Sequence, residues 1–121
     1  MASELCKRGH EVAFTLGHNT PLADLIVISP KKRHFLIDVK GLSTKNAWIV
    51  KRKKPRRELF YVLALVPKGH PNKFFIMAQR DANKLITENF NRPSKRKKPG
   101  WDGFLYNAAI KFHERWDLLP K

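Results

Sequence analysis

The sequence predicts an α/β protein in which helices flank a mixed central sheet. Three observations lead to this class. Several short apolar segments between residues 11 and 78 are bounded by Gly, Pro and polar residues, as strands usually are. A helical segment ends at Gly9 before the first of them, and residues 102–119 repeat apolar side chains at helical spacing. The 121 residues suffice for one domain, which we expect to span 1–121.

The N-terminal half is predicted to form one helix and then four strands. Residues 3–8 read as the last turns of the helix, which Gly9 ends in the left-handed conformation. A loop over 17–21 and a turn over 29–33 separate the first three strands. The strand at 24–28 is apolar on both faces, which is typical of a strand covered from two sides. The four predicted strands cover residues 11–16, 24–28, 35–40 and 47–50.

The C-terminal half is predicted to add two strands and two helices. The strands cover residues 59–66 and 74–78, and Asp81 is expected to cap a helix that ends near Phe90. Residues 91–100 are expected to form a basic flexible connector. Asp102 then caps a C-terminal helix over 101–119, with one buried stripe formed by Phe104, Leu105, Ala108, Ala109, Phe112, Trp116 and Leu119.

The charge of the chain points to a polyanionic partner. Twenty-five Lys and Arg oppose ten Asp and Glu, which gives a formal charge of +15 and a pI near 10.4. No amphipathic basic helix accompanies this charge, so nucleic acid is the expected partner and a membrane is not. Ten of the basic residues lie in two runs that we expect to contact phosphates: Lys51, Arg52, Lys53, Lys54, Arg56 and Arg57, then Lys95, Arg96, Lys97 and Lys98.

The remaining composition is typical of a cytoplasmic protein. A single cysteine, Cys6, excludes an intrachain disulfide and a cysteine-based metal cluster. The longest apolar run, Leu59–Val66, is too short to span a membrane. Glu4 and Lys7 stand where a secretory signal would need its apolar region, so no secretory signal is expected.

Two aspartates stand where the sequence predicts a core. Asp24 and Asp38 adjoin strongly apolar strands, and a buried carboxylate is costly unless it is paired or binds a metal. If the turn is centred on Lys31, residue numbers paired across the hairpin sum to 62, and the two carboxylates face each other with Cβ atoms roughly 5 Å apart. Such like charges are best explained by a divalent cation between them.

Lys40 is predicted to lie on the same strand face as Asp38, because side chains alternate along a strand. Oxygen ligands suit Mg²⁺, which acidifies a bound water, and a lysine can orient or help deprotonate that water. The alternative is a structural ion pair between Lys40 and either aspartate.

The segment from Asp24 to Asp38-Val39-Lys40-Gly41, with thirteen residues between the two aspartates, resembles the signature of the PD-(D/E)XK nuclease superfamily. The passage from Glu4 to Val12 is similar to the helix and first strand of that family. The resemblance extends to about residue 80 and implies the restriction-endonuclease-like fold.

The resemblance also implies roles for individual residues. Asp24 and Asp38 would ligate Mg²⁺, or alternatively Mn²⁺, with the Val39 backbone carbonyl as a further ligand, and Lys40 would be catalytic. Glu4 is the weaker candidate for the glutamate that many members carry early in the first helix. Two features depart from the pattern: the helix begins late, and Leu22 and Ala23 separate Pro21 from Asp24.

The leading hypothesis is therefore a Mg²⁺-dependent endonuclease that acts on DNA, with RNA as the alternative substrate. The main alternative is a non-catalytic nucleic-acid-binding module with a degenerate nuclease fold. A basic ribosome-associated protein would explain the charge but not the buried acids. One site cuts one strand, so cleavage of both strands would require a dimer or a higher oligomer.

Overall fold

The computed structural model describes residues 1–14, 23–51, 54, 56–90 and 102–121. Its order of elements confirms the α/β class. The two α-helices are α1 (Ala2–Lys7) and α2 (Gln79–Phe90), and two 3₁₀-helices cover Tyr106–Phe112 and Trp116–Leu118. The strands are β1 (Glu11–Phe14), β2 (Leu25–Ile28), β3 (His34–Leu42), β4 (Trp48–Ile49), β5 (Leu59–Leu65), β6 (Lys73–Ala78) and β7 (Gly103–Phe104).

A five-stranded mixed sheet with the order β1-β2-β3-β5-β6 forms the centre of the protein. Only the β3–β5 pair is parallel, and the three other pairs are antiparallel. β5 is buried along its whole length, because it lies between two strands and both faces of the sheet are covered there. β4 and β7 form a separate two-stranded ribbon.

Two apolar clusters cover the two faces of this sheet. One face holds Tyr61 and Phe75 and is covered by α2, the ribbon and the first 3₁₀-helix; we call it the α2 face. The other face holds Phe35 and Ile37 and is covered by α1 through Leu5 and by the second 3₁₀-helix; we call it the α1 face. None of the helices within the described ranges has the length and apolarity that crossing a membrane requires.

Most predicted elements are confirmed, with small shifts at their ends. Gly9 has φ of 84° and follows α1, as expected of a left-handed terminator. β3 continues through Gly41 to Leu42, and α2 begins at Gln79, so that Asp81 lies in its first turn instead of capping it. The predicted connector over 91–100 lies outside the described residues, as does the loop over 17–21.

The prediction that β2 is covered on both faces is wrong. Ile26 is 43% exposed, whereas Leu25 and Val27 are buried on the α1 face. The cover of the opposite face packs on β5 and β6 and leaves Ile26 in contact with solvent.

The predicted C-terminal α-helix is also wrong. Gly103 and Phe104 pair with β4, and the residues after them form the 3₁₀-helices. The chain crosses the β6 edge, where the Glu114 N–H donates to the Phe74 carbonyl at 2.8 Å and Glu114 has φ of 55°. Phe104 thus packs on the α2 face and Leu119 on the α1 face. One continuous helix over these residues could not place its two ends on opposite faces of the sheet.

Candidate functional site

The β2–β3 hairpin has the register that the sequence predicts. Leu25 pairs with Ile37 and Ile28 with His34, so paired numbers sum to 62 and the turn is centred on Lys31. The Ser29 N–H donates to the Arg33 carbonyl at 2.8 Å, and Lys32 adopts φ of 66° to close the turn. Continued by one residue, this register brings Asp24 next to Asp38.

Asp24 is attached to β3 through both its backbone and its side chain. Its N–H donates to the Ile37 carbonyl at 3.0 Å. Its carboxylate Oδ2 accepts a hydrogen bond from the Val39 N–H at 2.8 Å. The carboxylate therefore extends across to β3, beside Asp38. Asp24 is exposed, so the prediction that it lies in the core is wrong, whereas Asp38 is buried as predicted.

Asp38 and Lys40 lie on the same face of β3, as predicted from the alternation of the strand. Asp38 is 6% exposed, and its Oδ1 lies 3.4 Å from the Lys40 Nζ. The Lys40 side chain is 37% exposed, so its ammonium group lies between the buried Asp38 carboxylate and solvent. This contact is also the ion pair that the structural alternative predicts.

Tyr61 is a neighbour of this cluster that the sequence analysis missed. It pairs with Asp38 in the parallel β3–β5 ladder and is 1% exposed. Its buried hydroxyl has no hydrogen-bond partner among the described residues. Burial and the negative charge of Asp38 raise the pKa of Tyr61 to about 12, so the hydroxyl stays protonated. The sequence does show a tyrosine hydroxyl in an otherwise apolar strand. It does not show the parallel pairing that brings this hydroxyl to Asp38.

Glu4 is not brought together with the two aspartates. Its carboxylate lies 2.8 Å from Arg8 Nη1 and 3.7 Å from Lys7 Nζ, both in the same N-terminal segment. The hydrogen bond from Arg8 lowers the pKa of the Glu4 carboxyl. The adjacent Leu5 packs on the α1 face, whereas alternation along β3 places Asp38 on the α2 face.

The first basic run is exposed where the structure describes it, at Lys51, Lys54, Arg56 and Arg57. Arg56 Nη2 lies 2.8 Å from Glu58 Oε1, so part of its charge is balanced. Arg52 and Lys53 lie outside the described residues, as do all members of the second run, Lys95, Arg96, Lys97 and Lys98.

The ligands available at the aspartates suit a magnesium-type ion better than zinc. Mg²⁺ is commonly held by one or two carboxylates and keeps several waters, whereas structural zinc sites use four Cys or His ligands. Across the described ranges, no group of three or more His, Cys, Asp or Glu is arranged to hold a metal. Asp24 and Asp38 supply a two-carboxylate set, and the role of the Val39 carbonyl stays a prediction.

Comparison of the chain with protein-family models, with curated proteins and with solved structures finds no match. The resemblance to the PD-(D/E)XK superfamily therefore stays a prediction.

Proposed function

We propose that this protein is a metal-dependent nuclease that hydrolyses phosphodiester bonds, with DNA as its substrate. The observation that carries the proposal is the meeting of Asp24, Asp38 and Lys40 at one point of the sheet. The Asp24 carboxylate is bound to the Val39 N–H, and Val39 stands between the other two residues on β3. Two acids beside one amine, within a chain of formal charge +15, suit chemistry on a phosphate.

In this proposal Asp24 and Asp38 hold a divalent cation, Mg²⁺ or Mn²⁺. When bound, the cation supplies an acidified water and stabilises charge on the phosphate. The Asp38 carboxylate is already buried in the sheet, so binding a cation there would cost little additional side-chain entropy. Lys40 holds its ammonium group beside Asp38, at the border with solvent, where it can orient a water or a phosphate oxygen.

The sheet supports the restriction-endonuclease-like fold as part of the same proposal. An antiparallel hairpin carries the acids, and its second strand pairs in parallel with β5 in the middle of a mixed sheet. Cleavage of both strands of a duplex would require two copies of this single site.

A second candidate function is a non-catalytic nucleic-acid-binding module. The hydrogen bond of Asp24 with Val39 and the ion pair of Asp38 with Lys40 give both acids a partner within the protein. In that case the acids stabilise the hairpin, and the basic residues alone account for function.

A cleavage assay separates the two functions. Single-stranded, duplex and branched DNA are incubated with Mg²⁺, Mn²⁺ or EDTA, and DNA binding is measured in parallel. We expect metal-dependent cleavage that is abolished in Lys40→Ala and Asp38→Ala, while binding survives because the basic residues supply the phosphate contacts. Lys111→Ala, which removes an exposed lysine from the first 3₁₀-helix, is the control and should cleave normally. Equal background cleavage by all proteins would leave only the binding module.

A further inference from the structure

A cavity of about 610 Å³ lies where β5 and α2 both begin. Its volume is within the range of sites for small molecules, about 300–1,000 Å³. Phe60 and Ala78, which pair across β5 and β6, form an apolar wall together with Leu118. Charged side chains complete the lining: Arg56, Arg57, Arg80 and Asp81.

A buried glutamine is hydrogen-bonded to the backbone of Lys54 and Arg56 beside this cavity. Gln79 is 1% exposed, and its Oε1 accepts a hydrogen bond from the Arg56 N–H at 2.6 Å. Its Nε2 donates to the Lys54 carbonyl at 3.1 Å. The backbone that carries Arg56 and Arg57 is thereby fixed to the first residue of α2, beside Arg80, so the backbone at these arginines is ordered without a ligand.

The lining carries a net positive charge that is available to a ligand. Glu58 balances Arg56, and Asp81 opposes part of the remaining charge. Arg57 and Arg80 are exposed, and within the described part of the chain neither forms an ion pair. Guanidinium groups bind phosphate through two parallel hydrogen bonds, so two of them in the lining of one cavity suit a phosphate group.

We propose that this cavity binds the terminal nucleotide of a nucleic-acid strand, an inference that rests on the proposed nucleic-acid binding. The terminal phosphomonoester would meet Arg57 and Arg80, and the sugar and base would pack against Phe60 and Leu118. The charge of the lining favours a strand end over an internal nucleotide. A terminal monoester carries about −1.5 to −2 charges at neutral pH, more than an internal diester.

A neighbouring cavity provides a path for the rest of the strand. It has a volume of about 750 Å³ and shares Leu118 with the first cavity. Its charged lining residues are Lys31, Arg33, Lys121 and Asp117, and the Asp117 carboxylate lies 2.9 Å from Arg115 Nε. Phosphates that follow the terminal nucleotide would thus continue to meet positive charge.

The test measures binding in EDTA, so that no cleavage is needed. The probes are one short single-stranded DNA prepared with a 5′-phosphate, with a 3′-phosphate or with neither, and adenosine monophosphate as a free nucleotide. We expect one phosphorylated form to bind about tenfold more tightly than the unphosphorylated strand. Arg57→Gln/Arg80→Gln should lose this preference, and Lys68→Gln/Lys111→Gln, which removes the same charge elsewhere, should keep it. The melting temperatures of both variants verify that they fold.

Equal affinity for all three strands in the wild type would overturn this inference and leave nucleic-acid binding intact. A preference that survives Arg57→Gln/Arg80→Gln would overturn it as well. Binding of adenosine monophosphate without binding of any strand would overturn both the strand-end inference and the proposed nucleic-acid function.

Discussion

The carboxylate of Asp24 accepts a hydrogen bond from the backbone N–H of Val39 at 2.8 Å. This bond joins the start of β2 to the middle of β3 beyond the last regular pair of the hairpin, Leu25 with Ile37. It gives Asp24 a structural role that does not depend on its charge, because any side-chain oxygen at the same place would accept the bond. A role in holding metal does depend on the charge, so the two roles can be separated by substitution.

Asp24→Asn is expected to keep the stability of the metal-free protein, since the amide oxygen can still accept from Val39. Asp24→Ala should lose about 1 kcal/mol of unfolding free energy together with the bond. In the wild type, Mg²⁺ at 100 times its dissociation constant should add about 2.7 kcal/mol, and both variants should lose most of this response. Melting curves with EDTA and with Mg²⁺ measure both effects. An unchanged metal response in Asp24→Asn would exclude Asp24 as a ligand.

The ion pair of Asp38 and Lys40 predicts a stability effect of its own. Lys40→Ala leaves the carboxylate of Asp38 buried without its amine, and we expect a loss of about 1–2 kcal/mol, less than for a fully buried pair because Lys40 is partly exposed. Asp38→Asn/Lys40→Ala should recover part of this loss, because no charge is left buried. Urea denaturation of the single and double variants completes the cycle. Additive losses would show that the two side chains do not interact.

Tyr61→Phe is expected to stabilise the protein, because it removes a buried hydroxyl that has no partner among the described residues. The gain should be about 1 kcal/mol at neutral pH. The variant should also respond differently to alkali. The raised pKa of Tyr61, about 12, means that the unfolded chain releases this proton first, near pH 10. Ionisation of Tyr61 therefore leaves the unfolding free energy of the wild type unchanged below pH 10 and lowers it as the pH rises toward 12.

Urea denaturation between pH 8 and 11.5 measures the difference in unfolding free energy between the wild type and Tyr61→Phe. The titration of all other groups cancels in this difference. The advantage of the phenylalanine variant should widen as the pH rises. A constant difference over this range would mean that the hydroxyl has the same pKa in the folded and the unfolded protein. If Tyr61→Phe is less stable than the wild type at neutral pH, the hydroxyl has a hydrogen-bond partner.

The structural features that depend on residues close together in the sequence could be predicted from the sequence. The turn at Lys31 fixes the register of the hairpin, and alternation along β3 fixes the shared face of Asp38 and Lys40. The contact of Tyr61 with this cluster depends instead on a parallel pairing between distant segments. The same holds for Arg57 and Arg80, which line one cavity because α2 and the segment before β5 come together only in the folded protein.

The C-terminal segment shows a different limit. Its apolar residues recur at helical spacing, but Phe104 and Leu119 pack on opposite faces of the sheet. Periodicity records which residues are apolar and not which cluster each one joins. Gly103 gave a local indication against a helix, because glycine disfavours helix interiors and permits close approach of another backbone.

Gly103→Ala should destabilise the protein by several kcal/mol. A Cβ atom at this position would overlap the carbonyl oxygen of Trp48, which belongs to the backbone of β4 and cannot move aside as a side chain would. The ribbon would have to separate, which would expose Trp48 and Phe104, both at most 1% exposed. Gly41→Ala is a matched control, since a Cβ atom there meets no other atom within 4 Å. Chemical denaturation compares the two variants, and equal stability would contradict the close contact between β4 and β7.

The basic run before β5 predicts the salt dependence of DNA binding. Replacing Lys51, Arg52, Lys53 and Lys54 with glutamine should weaken binding to every sequence, because phosphate contacts carry no base information. Each lost contact should reduce the slope of log affinity against log salt by about 0.9 on duplex DNA. Titrations over a range of salt concentrations measure this slope. A control with the same loss of charge replaces four exposed lysines elsewhere: Lys68, Lys73, Lys84 and Lys111. If the slope falls equally in both variants, the run acts only through net charge, and if it falls in neither, the binding face lies outside both sets.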